Sequence, residues 1–153
     1  MTRAPSRWIS VAGSVLLLSL AGGCDEKLRD VAGPSPGLEP TFSSIQQLIF
    51  QATDDSGRSA CTQCHSSAGR VPAAGLSLLP DDAYRSLVGV ASRQKPGAVL
   101  VIPGDPDNSY LVHKLEGRSD IVGARMPRTT GPFLTDGQML IIRRWIAQGA
   151  ANN

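Results

Sequence analysis

The chain is 153 residues long, enough for one ordinary domain plus a segment or two outside it, and too short for two. Hydrophobic residues make up 41% and charged residues 18%, and 16 Gly and 11 Pro point to a globular protein with long loops. Fifteen Lys and Arg against thirteen Asp and Glu leave a formal charge of +2, and no basic stripe interleaved with aromatics appears, so nucleic acid is not an expected partner.

Met1 to Arg7 carries two arginines and no acid, and the apolar run Trp8 to Leu20 follows. These are the n-region and h-region of an export signal; the run, about 13 residues, is short of the roughly 20 that span a bilayer. Leu20-Ala21-Gly22-Gly23-Cys24 resembles a bacterial lipobox, whose cysteine is lipidated and becomes the new N-terminus. The alternative is an ordinary secretory signal that happens to precede Cys24. The expected division is a signal peptide over 1–23, a lipidated Cys24 and tether over 24–40, and one domain over 41–153. Removing 1–23 takes away Arg3 and Arg7, leaving 13 basic and 13 acidic residues, so no strong field steers partners. Asp25 resembles an inner-membrane retention signal, which favours an exported protein on the periplasmic side of that membrane. Residues 25–40, with prolines at 34, 36 and 40 and no apolar period, read as a tether of about 20 Å as a coil and at most about 50 Å extended.

Ser43 and Gln46 have capping-box spacing, and Ile45, Leu48, Ile49 and Ala52 follow at i, i+3, i+4 and i+7, predicting a helix of about ten residues. The helix runs out at Asp54 to Gly57, and Cys61-Thr62-Gln63-Cys64-His65 comes next. C-x-x-C-H is the spacing of covalent c-type haem attachment, with two thiols for the porphyrin vinyl groups and an imidazole for the iron. In a chain with three Cys and two His, chance supplies this pattern on the order of once in a thousand sequences. A thioredoxin-like dithiol and half a zinc site are the other uses of such a pair. The first wants a β-α-β context and the second a fourth ligand, and neither is evident. If Cys24 carries lipid and Cys61 and Cys64 carry haem, no thiol is left over in an oxidising compartment.

Ser66 to Leu79, rich in Gly, Ala and Pro, is expected as a loop folded over an apolar disc. Pro80 stands at a first helical position, with Ala83, Tyr84, Leu87 and Val88 as one stripe. Asp105-Pro106 signals another start, leading through Asn108 to Leu115 and stopping at Gly117. The last helix has the best local signals. Thr135 and Gln138 form a capping box, Leu134 staples onto Met139, and Met139, Ile142, Trp145 and Ile146 make the buried stripe. Arg143 and Arg144 lie near the negative end, and Gly149 is the stop. No stretch alternates long enough to predict a strand, so the fold class is all-α.

An iron held by His65 needs a sixth ligand or an open position. Met126 sits before Pro127, which pushes its backbone toward an extended form in which a loop can point a thioether at the iron; gap-filling is the other use of such a methionine. Met139 is accounted for by the staple. His113 falls opposite the Leu111 and Leu115 face of its helix and is expected in solvent, a bis-histidine site being the alternative.

Several motifs now line up with one family. Pro103 to Leu111 reads Pro-Gly-Asp-Pro-x-x-Ser-x-Leu, Lys114 to Gly117 reads Lys-Leu-x-Gly, and Arg125 to Pro127 is Arg-Met-Pro. Gly131 to Leu134 reads Gly-Pro-x-Leu, and Trp145 to Ala150 reads Trp-Ile-x-x-Gly-Ala. With C-x-x-C-H at 61–65, the segment from Phe42 to Ala150 resembles a bacterial class I, single-haem cytochrome c domain. The resemblance implies three to five short helices around one covalent haem c, axial ligation by His65 and Met126, and first and last helices that pack together. It implies electron transfer between redox partner proteins rather than enzymatic turnover. A haem enzyme or gas sensor in which Met126 dissociates is the rival. Many relatives have a second proline after Met-Pro; this chain has Arg128.

Overall fold

A computed structural model describes residues 37–54, 56–69, 71–128 and 131–153. The expected signal peptide, Cys24, Asp25 and most of the tether lie outside the described residues.

Among the described residues, four helices and two short 3-10 turns carry the fold, and only isolated β-bridges occur, without a named strand. Helix α1 spans Phe42–Ile45 and runs directly into a π-helical turn over Gln46–Phe50. Thr41, not Ser43, is the N-cap: its backbone is extended and its hydroxyl accepts the Ser44 N–H at 3.3 Å. The expected capping box at Ser43 and Gln46 is absent, because the Gln46 amide is buried and donates to Leu78 O at 2.8 Å. The other open N–H groups of this first turn go to the far end of the chain, Phe42 N donating to Asn153 Oδ1 at 3.0 Å and Ser43 N to Asn153 O at 2.8 Å. Starting two residues earlier moves the buried face to Phe42, Ile45, Gln46, Ile49 and Phe50, with Leu48 half-buried.

Helix α2 spans Ala83–Leu87 with Asp82 at its N-cap position. It begins three residues after Pro80, which lies in a turn instead of the first helical position. Ala83 and Leu87 are buried as expected, but Val88 has left the helix and bridges Val101. Helix α3 spans Tyr110–Glu116. Asp105 does cap a turn, accepting from Asn108 N at 3.1 Å, yet the helix waits for Ser109, whose hydroxyl donates to Asp105 O and accepts from Ile102 N. Gly117 closes α3 in the left-handed region, φ 74°. A Cβ there would meet the Arg125 side chain at 2.7 Å, so both the turn and the close approach require glycine.

Helix α4 spans Asp136–Ala147 and carries the expected capping box, Gln138 N donating to Thr135 Oγ1 and Thr135 N to Gln138 Oε1. Met139, Ile142, Trp145 and Ile146 are buried, and Leu134 joins the same core. The first and last helices pack through Phe42 and Trp145, ring centroids 5.5 Å apart, and Tyr84 of α2 meets Phe42 edge-on at 5.2 Å. Both aromatic polar tips are satisfied by the chain end, Trp145 Nε1 donating to Ala151 O at 2.8 Å and Tyr84 Oη to Ala150 O at 3.0 Å.

Candidate functional site

The 3-10 turn Cys61–Gln63 presents the motif, with His65 N and Cys64 N both donating to Cys61 O. A buried clasp fixes the approach to it. Arg58 has no exposed side-chain surface and pairs with Asp54 at 3.0 Å, and its Nη1 donates to Ile49 O at 3.2 Å. The π-turn makes that carbonyl available on the motif side, where the Cys61 thiol also points at it, Sγ to O 3.7 Å. Burial pushes the Cys61 thiol up, the nearby Arg58 charge opposing. Both thiols are free, Cys61 half-buried and Cys64 exposed.

The segment after His65, expected as a loop, folds back over the motif, Ala73 N donating to Cys64 O at 3.0 Å and Leu78 N to His65 O at 2.8 Å. It makes a second 3-10 turn at Ala73–Gly75. His65 Nδ1 stands 3.1 Å from Ala73 O. A carbonyl can only accept, so Nδ1 carries the proton and Nε2 is left with its lone pair, the tautomer a metal-binding histidine needs. Burial pushes the imidazole pKa down, with a smaller contribution of the same sign from the Lys114 charge.

Cys61, Cys64, His65 and Met126 all line one cavity of about 940 Å³, near the top of the ~300–1,000 Å³ range of cofactor and ligand sites. Its walls include Phe50, Leu76, Leu78, Leu100, Leu111 and Leu115. Among the described lining residues there is no carboxylate, while Arg85, Arg93, Lys114 and Arg128 are present. Apolar walls with a cationic, acid-free lining suit a flat apolar group that bears carboxylates; the two thiols suit covalent attachment to the edge of such a ring, and the imidazole and the thioether suit an iron within it. The residues present therefore fit a haem. Among the described residues no group of three or more His, Cys, Asp or Glu gathers around a common point as a metal cage would require.

Met126 is held from α3. Its N–H donates to Lys114 O at 2.8 Å, and the loop before it is fixed by Lys114 Nζ, 2.9 Å from Val122 O and 2.7 Å from Ala124 O. Tyr110 Oη accepts the Val122 N–H at 2.9 Å, and Arg125 Nε donates to Leu115 O at 2.7 Å.

His113 departs from expectation. Its side chain is only 14% exposed: Nδ1 faces the Asp120 carboxylate at 2.8 Å and Nε2 the Asp107 carbonyl at 2.7 Å. It does not line the cavity, so both ring nitrogens are committed elsewhere. Around it lie two ion-pair groups, Lys95 with Asp120 and a ring of Arg118, Asp107, Arg143 and Glu116, and the His113 ring stands between them, next to Asp120 on one side and Arg118 on the other. The sequence reading also missed the Asp54–Arg58 clasp, for which i, i+4 spacing of opposite charges was the available signal. Comparison with protein-family models, curated proteins and solved structures found no match to this chain.

Proposed function

We propose that the protein is a single-haem electron carrier of the class I cytochrome c type, with the haem bonded to Cys61 and Cys64 and ligated by His65 and Met126. One observation carries the reading: the C-x-x-C-H residues and a methionine 61 residues downstream of His65 line the same acid-free, apolar cavity. Bound there, haem supplies a one-electron ferric/ferrous couple. The chain's own residues do the rest. Ala73 O fixes the His65 ring by accepting from Nδ1, which leaves Nε2 for the metal. Met126 would supply a thioether ligand, which would favour the reduced metal and leave no open position for substrate. Leu76, Leu78, Leu100, Leu111 and Leu115 keep water from the walls, which limits solvent reorganisation when the charge changes. Redox partner proteins are the donor and acceptor. The lipobox-like Leu20 to Cys24 and the proline-rich 25–40 segment extend the proposal to an exported domain tethered on the periplasmic side of a membrane, the inner one by Asp25.

The absorption spectrum of the ferric holoprotein tests this. A far-red sulfur-to-iron charge-transfer band is expected, and Met126→Ala should abolish it. A spectrum that lacks the band, or keeps it in the variant, contradicts the ligation and favours an open-site haem enzyme or sensor.

A further inference from the structure

Among the described residues, the segment that delivers Met126 to the cavity has no helix between Gly117 and Thr135, so contacts from outside it do much to set its shape. Five hydrogen bonds from one short helix fix its 122–126 stretch. Tyr110 Oη and Lys114 O each accept a loop N–H, from Val122 and Met126, and Leu115 O accepts from Arg125 Nε. The remaining two come from Lys114 Nζ, which gathers the carbonyls of Val122 and Ala124 at 2.9 and 2.7 Å.

Lys114 is an unusual residue to find there. It is 7% exposed, and among the described residues no carboxylate pairs with it. A buried ammonium without a counter-ion is costly, and an apolar side chain on the same stem would avoid that cost. What an apolar side chain lacks is the ability to pull two carbonyls, on residues 122 and 124, to one point. Lysine's compact ammonium does this with separate N–H donors, where the planar fork of arginine spreads its donors along an edge. The two gathered carbonyls stand immediately before Met126, and the same residue's backbone oxygen takes the Met126 N–H. Backbone and side chain of Lys114 thus hold both sides of the loop that ends on the methionine.

We infer that Lys114 is a positioning residue that keeps Met126 at the cavity, so that the iron's sixth position is held by the chain's own thioether and closed to small external ligands. The inference rests on the haem reading above. It makes the difference between a closed electron carrier and a ligand-binding haem a property of one strut on α3. Releasing the strut lets the loop sample shapes in which Met126 is withdrawn, and an external ligand then binds in proportion to the population of those shapes.

The experiment compares holoproteins matured in a bacterial periplasm: wild type, Lys114→Leu, Lys114→Gln and Met126→Ala. Three quantities are read, namely the far-red band of the ferric protein, the affinity for added imidazole, and amide hydrogen exchange over 122–126. Lys114→Leu keeps an apolar stem, removes the donors and adds no sulfur to the cavity. It should lose most of the band, bind imidazole about tenfold or more tightly than wild type, and exchange faster at 122–126, with the amides of α4 unchanged. Lys114→Gln, which keeps a donor at shorter reach, should fall between them. A Lys114→Leu protein with wild-type band, imidazole affinity and exchange overturns the inference; if that variant is not recovered folded, wild-type values in Lys114→Gln overturn it. The Met126→Ala control separates the two levels. If it loses the band while the Lys114 variants keep theirs, only the role of Lys114 fails. If it keeps the band, the methionine ligation fails and this inference with it.

Discussion

Asp120 is where single-residue electrostatics are clearest. Hydrogen bonds from Lys95 and then His113 hold its carboxyl down at about 2, against an ordinary value of 3.8. The sign follows from that depression: the folded form prefers the charged carboxylate, so Asp120 contributes stability above the unfolded-state pKa, and the contribution is lost as pH falls from about 4 toward 2. Asp107 is depressed in the same sense, chiefly by its hydrogen bond from Arg143. Thermal unfolding followed from pH 7 to pH 2 should therefore give a plateau and then a decline below about pH 4. Asp120→Asn should lower the plateau slightly and flatten the decline; an unchanged acid limb would remove Asp120 from the explanation. This cluster also shows why His113 was misread. Helical position alone puts it opposite Leu111 and Leu115, on a face that ought to be wet. The chain then turns at Gly117 and brings Arg118 and Asp120 back over the ring, while the Asp107 carbonyl meets it from the other side. Those partners lie in a turn whose return path depends on Gly117 and Arg125, and no periodicity in the sequence encodes it.

At the level of elements, helix α4 was fully legible because its signals are local. Thr135, Gln138 and the Met139–Ile146 stripe interact within one or two turns, and the structure realises each. Denaturant unfolding should rank its parts: Thr135→Ala is expected to cost ~1 kcal/mol through the lost cap, and Trp145→Ala ~3–5 kcal/mol through the cavity left beside Phe42. Equal costs would mean that this helix is not the core element it is taken to be. Helix α1 was read less well for a tertiary reason. Ser43 and Gln46 have the right spacing, but Thr41 also offers a hydroxyl, and two long-range partners decide between them. Asn153 takes the N–H groups of Phe42 and Ser43, and Leu78 O takes the Gln46 amide that the capping box would have used. Helix α2 ended before Val88 because Val88 pairs with Val101 in one of the isolated bridges over 88–105, a pattern too short and irregular for any period-two signal.

Across the whole molecule, the elements serve one interior space. Helices α1 and α4 pack on each other, α3 carries the loop of Met126, and the segment after the motif folds over His65. Between them lies the cavity of about 940 Å³. A chain this short gains much of its core from whatever fills that volume, and covalent attachment through Cys61 and Cys64 would make the filling permanent. Cys61, Cys64, His65 and Met126 were all named from the sequence, the first three by spacing and Met126 by its place before Pro127 together with the family resemblance, and all four line that cavity. Lys114 and Arg58 were not, because the roles of a buried lysine gathering carbonyls and a buried arginine behind the motif exist only once the loops have closed.

The most direct measurement is the intact mass of the protein matured in a bacterial periplasm, taken under denaturing conditions. A covalent c-type haem predicts a mass increased by one haem that survives denaturation and disappears in the Cys61→Ser, Cys64→Ser double variant. An intact mass without haem, or a haem that dissociates on denaturation, contradicts covalent attachment at Cys61 and Cys64 and with it the proposed electron carrier.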